Sequence, residues 1–294
     1  MTAYPTVGVG LPIVGPHATP EAVELIAMAA DRLGFHSLSV SERLLLPGDP
    51  DWANDFGLPQ WPSYDAIESL TWAAAKTARV RLRTDIIVPL FQQPVVLARR
   101  LATLDRLSGG RLDVGVARGW LPEEFAATGV DHDDKGAAYE ESVAALRACW
   151  GPDPVSFKGR YFTIPPSRIG PKPVQKCLRI WAGAVTEAAT RRAARIGDGL
   201  TIGFRNWEAS LAQAAWYHES GGTGPIVFRA GPMLADAEHV TPPSTWTEPS
   251  IVADLARAAK AGIDHVVWDL NIVDTDPADQ VAAMTGLAER IGLS

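Results

Sequence analysis

The chain has 294 residues, 47% of them apolar and 21% charged, with a formal net charge of −7 at pH 7. That length accommodates two ordinary domains or one large α/β barrel, with apolar content enough for a substantial core. The acidic balance excludes a clustered basic face for nucleic acid, no apolar run reaches the roughly 18 residues of a membrane span, and Cys149 and Cys177 match neither a disulfide framework nor zinc-ligand spacing.

The opening "MTAYPTVGVG" lacks the basic patch and apolar core of a secretory signal, so a reducing cytoplasm is the expected home. A first β-type run covers Val7–Ile13. A helix follows, with Thr19 as N-cap, Pro20 and Glu21 in its first turn and Gly34 closing it. "HSLSVSE" alternates like a strand and "SYDAIESLTWAAAKTA" has helical spacing. "VRLRTDIIVPL" is the third strand, "PVVLARRLATLDRLSGG" a Pro-opened, Gly-closed helix, and "LDVGV" a fourth strand before the helical "YEESVAALRACW". The second half repeats the alternation. "LRIWAGA", "GLTIG", "PIVFRAGPML" and "DHVVWDL" read as strands, each followed by a helical stretch. Eight β-then-α units predict a (β/α)8 TIM barrel, one domain over residues 1–294, with loop insertions at the C-terminal face. An open doubly wound sheet is the second architecture. Three connections are long: Pro47–Ser63, Gly151–Gln175 and Ala235–Pro249. Those after the second and seventh strands belong to the C-terminal face, where barrel chemistry is built.

Strand exits on that face offer Ser41, Glu42, Arg43, Arg118, Ala184 to Thr186, and Asp269. Glu42 either handles a proton or hydrogen-bonds a ligand, or it forms an ion pair with a barrel arginine. Asp85 stands inside an apolar strand, where a carboxylate is either paired, at the rim, or used. The turn through Gly183 into a helix near Thr186 presents free N–H groups and a helix dipole to an anion; Thr186 otherwise only caps its helix. His36 and His265 lie near strand starts, on the stability side, while His17 follows the first strand and reaches the mouth. His132, His218 and His239 read as loop or helix-surface residues. No metal-ligand spacing, nucleophile elbow or self-sufficient triad is present, which favours a mechanism in which a cofactor does the hard chemistry.

"QQPVVLARRLATLDRLSGGR", "GRLDVGVARGWLPEEFAATGV" and "GPKPVQ…RIWAGAVTEAATRRAARIGDG" closely resemble the bacterial luciferase-like monooxygenase superfamily, in particular its oxidoreductases that use the deazaflavin coenzyme F420. The resemblance runs from Val7 to Gly199 and is looser beyond. It implies a barrel with a flavin or deazaflavin at its mouth, and commonly a homodimer. It assigns the cofactor phosphate to Arg118 and Gly119 with Gly183, Ala184, Val185 and Thr186. It also implies a non-proline cis peptide at Asp85–Ile86 behind the ring, although Asp85 replaces the small residue usual there. Where many deazaflavin members carry an Asp-His pair, this chain has Glu42-Arg43. A guanidinium does not titrate usefully, so Arg43 is expected to contact an anionic tail or substrate. The expected activity is hydride transfer between F420 and a small organic substrate, with Glu42 as the catalytic candidate and Arg43, Trp52 and Trp61 lining the substrate pocket. An FMN-dependent monooxygenase and a non-catalytic ligand-binding barrel are the alternatives.

Overall fold

The computed structural model describes residues 4–49, 51–52, 61–130, 135–231, 246–271 and 275–293. His132 and His239 lie outside these, as do parts of the long connections after the second and seventh predicted strands. The elements in chain order are β1 (Thr6–Gly10), α1 (Pro20–Leu33), β2 (Ser37–Val40), α2 (Ala66–Lys76), β3 (Arg81–Thr84), α3 (Pro94–Leu107), β4 (Leu112–Val116), α4 (Pro122–Thr128) and α5 (Lys135–Trp150). They continue with β5 (Val155–Lys158), β6 (Thr163–Ser167), β7 (Ile180–Ala184), α6 (Glu187–Ile196), β8 (Gly199–Gly203), α7 (Trp207–Glu219), β9 (Ile226–Ala230), α8 (Ile251–Lys260), β10 (His265–Trp268) and α9 (Pro277–Ile291). Eight parallel strands close in the order β1-β10-β9-β8-β7-β4-β3-β2, with helices outside, giving the (β/α)8 barrel that the alternation predicts.

Local chemistry sets the element ends. Thr19 accepts the Ala22 amide at the start of α1, Pro20 fits the first turn, and Gly34 closes the helix at φ 79°. Two predicted strands are shorter than their apolar runs. β1 ends at Gly10 rather than Ile13, and β3 ends at Thr84, just before the cis Asp85–Ile86 peptide bond. The connection Gly151–Gln175 is not plain loop: it holds the antiparallel pair β5 and β6. The short α4 also lies where the sequence reading placed no helix.

The strands alternate strictly. One face, with Val9, Leu38, Leu82, Val114, Ile180, Leu200, Phe228 and Val266, packs with the helices in the main apolar core. The other face points into the barrel and is mostly small or polar. Trp181, Val227 and Val267 form a separate small cluster there. Ser37 bonds His265 Nε2 at 2.8 Å, and Arg83 donates to Thr201 at 2.8 Å across the lumen and to Asp85 at 2.7 Å. Because this face is not filled by large aliphatic side chains, the C-terminal end of the lumen stays open as a pocket.

Candidate functional site

The pocket is a cavity of about 320 Å³ at the C-terminal mouth. Of the candidates named from the sequence, Thr186 and His17 do not line it, whereas Glu42, Arg43, Trp52, Trp61, Asp85, Ile86, Arg118, Gly119, Gly183, Ala184 and Val185 do. These positions come from β2, β3, β4 and β7 and the loops that follow them, neighbours on one half of the ring.

Glu42 follows β2, where its amide donates to the Ile86 carbonyl at 2.9 Å. Among the described residues its carboxylate pairs with no arginine; Oε2 accepts the Val88 amide at 2.6 Å instead. One side chain thus ties the β2 exit to the segment beyond the cis bond. Burial pushes the carboxyl up to about 7, helped by Asp65 and Glu124 and opposed by the Val88 amide and Arg100. A carboxyl held near neutrality is able to take or release a proton at physiological pH.

The charge of Arg43 is already matched. Nη1 donates to buried Glu124 Oε2 at 3.1 Å, the Leu44 amide donates to Glu124 Oε1 at 2.8 Å, and the guanidinium lies 4.9 Å from the Trp120 ring centroid. Burial raises the Glu124 carboxyl, with Arg43 pulling the other way. Trp120 stacks on Trp52 at 6.4 Å, completing an aromatic wall. Arg43 thus lines the cavity while already holding an internal pair with Glu124.

Asp85 is a fully paired lumen carboxylate, accepting from Arg83 Nε at 2.7 Å, Ser39 at 3.1 Å and Thr201 at 3.2 Å. One partner, Arg83, stands in the same strand segment, whereas Ser39 and Thr201 come from β2 and β8. Behind the cavity Gly183 passes close to this region: a Cβ there would lie 3.1 Å from Ile86 Cγ2 and 3.1 Å from the Ala117 Cβ. Thr186 caps α6, accepting the Ala189 amide at 3.3 Å, and is exposed rather than part of the lining.

Arg118 is exposed at the rim where β4 leaves the barrel, and among the described residues no hydrogen bond or ion pair engages its guanidinium. Gly119 beside it adopts φ 79°, a left-handed conformation that turns the chain back toward α4. Of the cavity arginines, Arg43 and Arg229 are neutralised, the latter by Asp269 at 2.5 Å.

Sequence reasoning passed over Trp120, Glu124, Arg229 and Asn271. Trp120 and Glu124 sit in the "GWLPEEF" segment, where Pro122 followed by two acids and closed by Gly129 is itself a helix-start and helix-stop signal. Arg229 lies two residues from lumen-facing Val227, so period-two alternation would have found it. His265 is structural, buried between Thr6 and Ser37, and burial drives its pKa well below the usual histidine value. Among the described residues no His, Cys, Asp and Glu group has the makings of a metal site, and no helix is long and apolar enough to cross a membrane.

The chain is 34% identical over 189 residues to an uncharacterized protein of Mycobacterium tuberculosis, covering 62% of this chain and 66% of that one, slightly under two thirds of its length. It is 30% identical over 177 residues to an F420-dependent glucose-6-phosphate dehydrogenase of Amycolatopsis mediterranei, covering 59% of this chain and 50% of that one. Identity reaches 35% over 115 residues with an FMNH2-dependent dimethylsulfone monooxygenase of Pseudomonas fluorescens, covering 38% and 31% of the two chains. Among solved structures it resembles the monooxygenase RslO1 of Streptomyces bottropensis, with a TM-score of 0.78, 25% identity and coverage of 97% and 98%. The profile of the luciferase-like monooxygenase family matches residues 6–225, and the chain belongs to that family.

Proposed function

We propose that this chain is an oxidoreductase that transfers a hydride between coenzyme F420 and a small organic substrate. The observation that carries this reading is that one cavity is lined both by Arg118, whose guanidinium no described residue engages, and by Glu42, a carboxyl held near neutral pH. The residues fit a flat ring with an anionic tail. Gly203 leaves open space where a Cβ would project, Asp85 and Ile86 give one wall, and Arg118 together with the amides at the start of α6 would receive a phosphate. When bound, a deazaflavin supplies a two-electron hydride centre, whereas a flavin also activates oxygen. Glu42 then takes or gives the proton that accompanies the hydride. Trp52, Trp120 and Trp61 keep water from the ring.

A second reading is an FMN-dependent monooxygenase, supported by the Pseudomonas fluorescens relative and by the likeness to RslO1. Fluorescence titration of the purified protein with F420 and with FMN separates the two. Saturable F420 binding is expected, and tight FMN binding with no F420 binding overturns the first reading. Arg118→Ala is expected to weaken cofactor binding at least about tenfold, the scale of one charge-assisted phosphate contact. An unchanged affinity would remove Arg118 from the site.

A further inference from the structure

Across the mouth from Arg118, where β9, β10 and β1 end, the cavity carries a buried polar atom that no group of the described residues satisfies. Asn271 follows β10 and is only 8% exposed, yet it lines the cavity. Its side-chain nitrogen donates to Asp269 Oδ1 at 3.0 Å, and its main-chain amide donates to the same oxygen at 3.1 Å. The other Asp269 oxygen accepts from Arg229 at 2.5 Å, and Arg229 also approaches Ser41 at 3.5 Å. An ionised carboxylate only accepts hydrogen bonds, so the NH2 end of the amide has to face Asp269. Its oxygen is thereby turned away, and Asn271 Oδ1 is buried without a donor. A buried acceptor of this kind is costly and uncommon in native proteins.

The neighbourhood is built around this arrangement. A Cβ on Gly10 would overlap Asp269 and stand 2.8 Å from Asn271 Nδ2, so only glycine on β1 admits the pair. Leu11, Ile13 and Val14, on the segment leaving β1, give the same half of the cavity an apolar wall. The Asp269 carboxylate and the Arg229 guanidinium cancel one another, which disfavours a charged ligand there. The complementary molecule is neutral, largely apolar, and carries one hydrogen-bond donor.

We propose that Asn271 Oδ1 is the substrate-recognition acceptor of this protein and that the substrate is a small, mostly apolar molecule bearing a hydroxyl. Asn271 Oδ1 accepts a hydrogen bond from the hydroxyl, which keeps its proton in the bound state, Asp269 holds the Asn271 amide in the required orientation, and Leu11, Ile13 and Val14 take the hydrocarbon. The word substrate rests on the hydride-transfer reading, whereas the donor-binding site stands on the geometry alone.

The test uses matched pairs that share a skeleton and differ in the donor: cyclohexanol with cyclohexanone, and 2-heptanol with 2-heptanone. Dissociation constants come from saturation-transfer NMR on the purified wild-type protein, without cofactor and again with F420 added. The alcohol of at least one pair is expected to bind about fivefold more tightly than its ketone, with the preference gone in Asn271→Leu. No preference in either pair, or a preference that survives Asn271→Leu, overturns the proposal. If that variant fails to fold, the wild-type side-chain amide resonance of Asn271 replaces it: a shift on adding alcohol supports the site, and no shift overturns it. Failure of F420 to bind would sink the hydride-transfer reading while leaving the alcohol preference intact, so the two failures are distinguishable.

Discussion

Glu42 shows how one residue is bent to two tasks. Its carboxylate knits the β2 exit to Val88, and the burial this requires raises its pKa from 4.5 to about 7. The folded protein therefore holds the proton more tightly than the unfolded chain does. The sign follows: fully protonated below about pH 4.5, the group costs nothing, and stability falls as pH rises through 7, after which the penalty is constant. Glu42→Gln keeps an acceptor for Val88 but has no charge to bury. Relative to the parent it should gain about 2–3 kcal/mol between pH 4 and pH 9. Urea midpoints collected across that range check this, and parallel profiles for the two proteins would refute a raised carboxyl. Glu42, Arg118 and Asp85 were legible because each is a charged residue at an apolar strand or its exit. Arg83 lies only two residues from Asp85, but the long-range partners were not legible: Thr201 stands 116 residues from Asp85, and Glu124, which holds Arg43, stands 81 residues from it. Separation of that order leaves no local pattern.

At the scale of elements, the helices announced themselves through their ends and the strands through apolar runs. The exceptions have physical reasons. β6 carries Pro165 and Pro166, which remove ladder donors and argue against a strand, yet a two-stranded hairpin tolerates them at its edge. α4 is only 7 residues long, too short for hydrophobic periodicity to register. Thr186 illustrates the reverse case, a residue whose position suggested a ligand contact and whose hydroxyl serves its own helix. Thr186→Ala should cost about 0.5–1 kcal/mol, the low end for an N-cap because the bond is long and exposed. Cofactor affinity should stay as in the parent, since the hydroxyl does not face the cavity. A thermal melt and a binding titration on the same sample test both halves of that expectation.

Over the whole molecule, the barrel divides its work between two surfaces. The outer face of the strands meets the helices with aliphatic side chains, and the inner face is left to small and polar ones. That inner face carries a buried ion pair, Arg83 with Asp85, at 3% and 0% side-chain exposure. Arg83 also lies 4.6 Å from the Trp181 ring centroid. Replacing it by methionine strands a carboxylate in the lumen and should destabilise by about 3–5 kcal/mol. Asp85→Asn in the same chain should recover part of the loss, a coupling that a double-mutant cycle in denaturant measures. Equal stability of Arg83→Met and parent would mean that the pair contributes nothing to the fold.

The inner hydrogen bonds also join strands that are not neighbours in the sheet. Ser37 on β2 reaches His265 on β10, and Arg83 on β3 reaches Thr201 on β8. They act as spokes in a wheel whose rim is the hydrogen-bonded ladder. Bonds that cross the lumen stiffen the barrel between strands that the ladder does not link directly. Entry of a ligand then asks little rearrangement of the barrel itself, and the ordering cost of binding is left to the side chains and loops at the rim.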